Sequence, residues 1–248
     1  MKLCLPLLFL AAACGDAGPV ASRVEGYIRA DQYARLVLEI DSVPGFGPRA
    51  AAQGGLIARL GPILDKPGGI SAVADDALGA VGASHVWTFA ELDALAGATF
   101  DLAVPADTTK MHVLFVDGGY EADTSSSKVL GIAWANTHVV MFKQTVEEIC
   151  ASAPSLVREQ VCEAAEEGVW THETGHLLGL VDNGLPMVTD HEDGAHSGHD
   201  QDDGCVMYWA YEGQGLVDLF VTRILGGNDA KLDFDEACKA DLAAVRNR

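Results

Sequence analysis

His172, Glu173 and His176 stand in the order H-E-x-x-H, and the pattern runs on as H-E-x-x-H-x-x-G-x-x-D to Gly179 and Asp182. On a helix, residues four apart share a face, with Cβ atoms roughly 5–6 Å apart. His172 and His176 can therefore grip one metal ion from the same side, and Glu173 projects beside them. Zn²⁺ with an open position lowers the pKa of its water to about 7. The chemistry this predicts is hydrolysis, with zinc as cofactor and Glu173 as the base that takes the water proton.

A catalytic zinc usually has three protein ligands. Asp182, six residues after His176, comes back beneath the metal if Gly179 breaks the helix. His191, in Asp190-His191-Glu192-Asp193, is the alternative third ligand. The surrounding stretch 190–203 is rich in acids and also carries His196 and His199. It reads either as a solvated acidic loop or as a second metal site using His196 and His199. Oxygen ligands there would suit Ca²⁺, and the imidazoles would suit Zn²⁺.

Downstream runs Cys205-Val206-Met207-Tyr208-Trp209. The zinc-binding pattern followed by a methionine about thirty residues later resembles the metzincin zinc proteases. That resemblance implies a mixed sheet, a long active-site helix and a tight turn that sets Met207 beneath the zinc. The aspartate form of the third ligand is similar to snapalysin-type bacterial proteases. The stretch from Gly179 to His191, with Cys205-Val206-Met207-Tyr208, resembles bacterial lipoprotein "membrane metalloproteases" more closely still. In those relatives the position of Asp182 need not ligate, which keeps His191 in contention. Some metzincins place a tyrosine two residues after the methionine, where this chain has Trp209, flanked by Tyr208 and Tyr211.

The amino terminus reads as an export signal. Lys2 precedes an apolar run, and Ala11-Ala12-Ala13 leads into Cys14. A basic start, a short apolar core and small residues at the cut define such a segment. Residues 1–13 are the predicted signal peptide, and 14–23 a tether lipidated at Cys14, since small residues before a cysteine resemble a lipobox. Residues 24–248 are then one metalloprotease domain, anchored to the bacterial cell envelope by lipid alone. The run is too short to span a bilayer stably. A net charge of −20 repels nucleic acid and anionic membrane surfaces. The expected partner is a protein or peptide substrate. A non-catalytic zinc-binding surface lipoprotein is the alternative, and the intact Glu173 argues against it. Hydrolysis of a non-peptide substrate is a third option.

Periodicity places the elements that must hold these residues. Residues 34–41 and 111–116 read as strands, as do 139–142 and the shorter 70–73. Helical spacing covers 50–64. Thr88 with Glu91 is a capping-box signature for a helix through about Leu95. A long helix is expected from near Pro154 through the metal motif to Gly179, and a last one from Asp235 to about Val245. The segment Trp134–Phe142 is a candidate cleft-edge strand for an extended substrate. This order of strands and helices suggests an α+β domain. In an exported chain the cysteines favour disulfides. Cys150–Cys162 with Cys205–Cys238 is the most local of three pairings, and a cysteine zinc site is the alternative.

Overall fold

The computed structural model describes residues 20–212, 215–228 and 230–248. The predicted signal peptide and Cys14 lie outside them. Helix α1 (Val20–Ile28) begins inside the stretch read as a tether, so ordered structure starts earlier than residue 24. Strand β1 (Arg35–Ser42), helix α2 (Ala50–Ile63) and strand β2 (Ile70–Ala77) follow. Next come β3 (Val86–Trp87), α3 (Phe89–Thr99), β4 (Thr108–Val116) and β5 (Gly119–Tyr120). Strands β6 (Gly131–Trp134) and β7 (His138–Phe142) lead into α4 (Lys143–Cys150) and the long α5 (Arg158–Leu177). The chain closes with β8 (Glu192–Asp193), β9 (His196–Asp200), a 3-10 turn at Trp209–Glu212, α6 (Gly215–Leu225) and α7 (Glu236–Arg246).

Five strands form one mixed sheet in the order β2-β1-β4-β7-β6. The first four run parallel and β6 pairs antiparallel with β7. Side chains alternate across a strand. On β4, Met111, Val113 and Phe115 enter the core shared with α1, α2, α5, α6 and α7. Leu114 and Val116 enter a smaller core under α3, with Val140 and Phe142 of β7. Both faces are covered, which is why β4 reads as a continuous apolar run. The capping box at Thr88 and Glu91 forms as its sequence signature requires.

The edge of the sheet is β6, so the edge role expected of Trp134–Phe142 falls to residues 131–134. Strand β7 lies one place inside. A three-residue connection, 135–137, joins them, with Ala135 and Asn136 both at positive φ. Asn136 Nδ2 donates to the carbonyls of His176 (3.2 Å) and Leu177 (3.5 Å), fastening the hairpin to the end of α5. Helix α5 is buried along most of its length. Two of its buried acids are paired: Glu166 with Lys143 and Arg49, and Glu167 with Arg59 at 2.7 Å. The Cys150–Cys162 disulfide ties α4 to α5 as expected, whereas Cys205 and Cys238 stand as buried thiols.

Candidate metal centre

Helix α5 carries His172, Glu173 and His176 on the turn nearest its C-terminal end. His172 is fully buried. Its Nδ1 lies 2.7 Å from the Val206 carbonyl, which can only accept, so Nδ1 is the donor. In the neutral ring this leaves the Nε2 lone pair for a metal. The Nε2 atoms of His172 and His176 are 3.1 Å apart.

The third imidazole in this place is His199. Its ring stacks on that of His172 at 5.3 Å between centroids and meets that of His176 edge-on at 5.1 Å. One ligand nitrogen from each of the three rings lies within 4.8 Å of the others. Three neutral nitrogens are a donor set that suits zinc. In a zinc tetrahedron with 2.0–2.1 Å bonds, ligand nitrogens are about 3.3 Å apart, close to the 3.1 Å between the Nε2 atoms of His172 and His176.

His199 reaches this position because 190–203 is not simply a solvated loop. Strands β8 and β9 form a small hairpin. The Glu192 carboxylate accepts from Gly198 N and from Ser197 Oγ, both at 2.8 Å, and sets the turn. Asp200 N donates to the Met207 carbonyl at 2.9 Å, docking β9 on the chain below α5.

Neither predicted third ligand belongs to this cluster. Gly179 does close the helix, at φ +74°. Val181 and Asp182 then both take left-handed backbone, φ +53° and +58°, and the turn leaves Asp182 exposed. His191 is buried elsewhere, with Nδ1 2.6 Å from Asp200 Oδ2 and Nε2 2.9 Å from Asp241 Oδ2. Burial opposes protonation of that ring, but the hydrogen bonds to Asp241 and Asp200 outweigh it and raise its pKa. His196 does not join His199 in a separate site. It stacks on Trp209 at 4.1 Å and lies 3.2 Å from Asp193.

Met207 is fully buried in a turn closed by Tyr208 N donating to the Cys205 carbonyl at 3.1 Å. Its Sδ lies 2.2 Å from where a Cβ on Gly175 would sit, so α5 settles on the methionine only because residue 175 has no side chain. Gly131 of β6 plays the same part for Glu173: a Cβ there would meet Glu173 Oε1 at 2.9 Å. His199 joins His172 and His176 and not His196, the neighbour its sequence stretch suggests. The usable signal was the parity of a short strand, in which His199 and Asp200 must face opposite sides.

No family model matches the chain, and no curated protein matches it. Among solved structures, archaemetzincin from Methanopyrus kandleri aligns over 87% of this chain and 97% of its own, at a TM-score of 0.52 and 16% identity. The likeness is one of fold.

Proposed function

We propose that this protein is a zinc-dependent endopeptidase whose metal is held by His172, His176 and His199. The observation that carries the reading is the convergence of His199 from β9 on His172 and His176 of the buried helix α5, which also carries Glu173. A zinc ion in such a site supplies Lewis acidity and lets a water lose its proton near neutral pH. Glu173 accepts that proton on its carboxylate and returns it to the leaving amine. Val206 holds the His172 ring in the tautomer that ligates. Met207, seated under Gly175, is the counterpart of the metzincin methionine turn. The exposed edge of β6 accepts an extended peptide by strand addition. Asp182 has no ligating role in this reading.

The substrate is a protein or peptide. The net charge of −20 argues against nucleic acid. Among the described residues no helix is long and apolar enough to cross a membrane. Attachment to the bacterial envelope runs through lipid on Cys14 after export, and Cys14→Ser should move the protein out of the membrane fraction. The test of function is cleavage of a peptide library by the zinc-loaded protein, with and without chelator. Chelator-sensitive cleavage that is lost in Glu173→Gln supports the proposal. Cleavage indifferent to both overturns it.

A further inference from the structure

Strand β6 presents its free backbone groups at fixed places. Antiparallel pairs alternate between hydrogen-bonded and non-bonded positions. Phe142 N donates to the Leu130 carbonyl at 3.0 Å, one step before the pair Gly131–Met141. By that alternation Ile132 and Trp134 also direct their N–H and C=O groups to β7. Gly131 and Ala133 turn theirs to the outer edge, which no strand covers among the described residues. An extended peptide adding to this edge therefore bonds to Gly131 and Ala133. Its residues opposite Ile132 and Trp134 occupy non-bonded positions, where facing side chains approach most closely.

The two faces of β6 differ. Gly131 lies against Glu173, and Ala133 packs toward the larger core. Ile132 and Trp134 point the other way, over the smaller core under α3. There Trp134 is braced by three groups. Its Nε1 donates to Asp93 Oδ1 at 3.0 Å, its ring centroid lies 5.2 Å from that of His138, and Phe89 of α3 meets it edge-on at 5.8 Å. His138 is fixed in turn, with Nδ1 3.0 Å from His112 Nδ1, while His112 Nε2 lies 2.7 Å from Asp41 Oδ2. A carboxylate only accepts, so His112 Nε2 donates, its Nδ1 accepts, and His138 Nδ1 carries the shared proton. Phe89 is 41% exposed, although phenylalanine is among the residues most often buried. Phe89 and the braced Trp134 thus make an aromatic wall at the far end of an open strand whose near end lies against Glu173.

We propose that Phe89 and Trp134 form a subsite that selects an aromatic side chain of the substrate, three residues to the N-terminal side of the residue opposite Gly131. The direction follows from pairing. Antiparallel addition is the more stable per residue, and an antiparallel peptide runs from the Trp134 end of β6 to the Gly131 end. The distance follows from strand rise: three residues at about 3.4 Å each span about 10 Å. The ring chemistry follows from the wall. Aromatic side chains prefer edge-to-face or offset partners with centroids about 4.5–7 Å apart. Phe89 and Trp134 already form one such pair, and a substrate ring adds a third member. Binding so far from the reacting bond contributes through orientation of the peptide beside Glu173.

This subsite rests on the endopeptidase reading, and two readouts keep the two apart. Peptides carrying one Phe, Tyr or Trp, or Ala in its place, are cut by the full-length zinc-loaded protein, and the products are mapped by mass spectrometry. The aromatic peptides should be cut with kcat/KM about tenfold above the alanine control, at the third or fourth peptide bond after the ring. In Phe89→Ala and in Trp134→Leu the aromatic-to-alanine ratio should fall toward one, and Trp134→Phe should restore much of it. Calorimetry with zinc-loaded Glu173→Gln reads the same preference as binding, without turnover. If Trp134→Leu fails to fold, Phe89→Ala, at an exposed position, decides. No aromatic preference in binding, a ratio unchanged in Phe89→Ala, or an aromatic residue required on the C-terminal side of the cut would each overturn the proposal. Aromatic-selective binding with no cleavage by wild type would instead sink the endopeptidase reading and leave the subsite standing.

Discussion

His199 and Asp200 are neighbours on β9, yet they serve clusters on opposite sides of the strand. His199 joins His172 and His176, where two of the three rings keep partial contact with solvent. Asp200 joins His191, Asp235 and Cys238, all buried except the half-buried Asp235. Burial therefore separates the two groups as clearly as their composition does. A site that must admit water and substrate stays open on one side, whereas a site that holds segments together closes. The small hairpin β8–β9 is the element both clusters share, and the Met207 turn touches each. Val206 holds His172, and Cys205 faces Cys238.

The sharpest way to break this contrast is on the open side. Glu173→Gln should keep zinc but lower peptide turnover by about 10²–10⁴, because an amide cannot accept the water proton. Steady-state kinetics on a metal-quantified sample checks this. His199→Ala should weaken zinc binding by more than the roughly 10–100-fold typical of losing an outer partner. Asp182→Ala should leave zinc affinity unchanged. Competition with a chromophoric chelator reads both, and the reverse ranking would restore the aspartate ligand.

A smaller effect tests the shared floor. Gly175→Ala places a methyl group against Met207 Sδ, at an initial separation of 2.2 Å. Overpacking of this kind costs about 1–3 kcal/mol. Thermal melts should show the loss, and Gly175→Ala combined with Met207→Ala should recover part of it.

The smallest effect uses a third histidine group that touches neither cluster. His112 Nε2 lies 2.7 Å from Asp41 Oδ2, and His112 Nδ1 lies 3.0 Å from His138 Nδ1. Burial, with the charges of His112 and Arg23 and against Asp93, pushes the His138 pKa down from 6.5 to about 4. The folded pKa lies below the unfolded one, so the unfolded chain binds the proton more readily in that interval. Stability from this group is complete above the unfolded value and falls as pH drops from about 6.5 toward 4. Melts of wild type and His138→Gln at both ends of the range should show the smaller acid loss in the mutant. Chelator should not alter the difference.

What the chain reveals by itself follows from how local each signal is. The H-E-x-x-H spacing, the Thr88–Glu91 capping box and the apolar run of β4 are written within a few residues, and all three elements form. Strands β8 and β9 are not legible in that way. His196–Asp200 has the composition of a solvated loop, and only its pairing with β8 and its docking on Met207 make it a strand. The histidine that completes the cluster is therefore fixed by contacts distant in sequence. Asp182 has the spacing of a ligand, but with left-handed backbone at Val181 and Asp182 it lies exposed and outside the three-histidine cluster. Proximity in sequence favours a bond between Cys205 and Cys238. They are neighbours in space as well, but as thiols beside Asp200 and not as a disulfide.

The most direct test of the central claim is an anomalous difference map from a crystal of the zinc-loaded protein, with data taken on either side of the zinc edge. The account predicts a peak bonded to His172 Nε2, His176 Nε2 and a ring nitrogen of His199, with Asp182 remote from it. A peak ligated by Asp182 or His191 in place of His199, or no peak between His172 and His176, would contradict it.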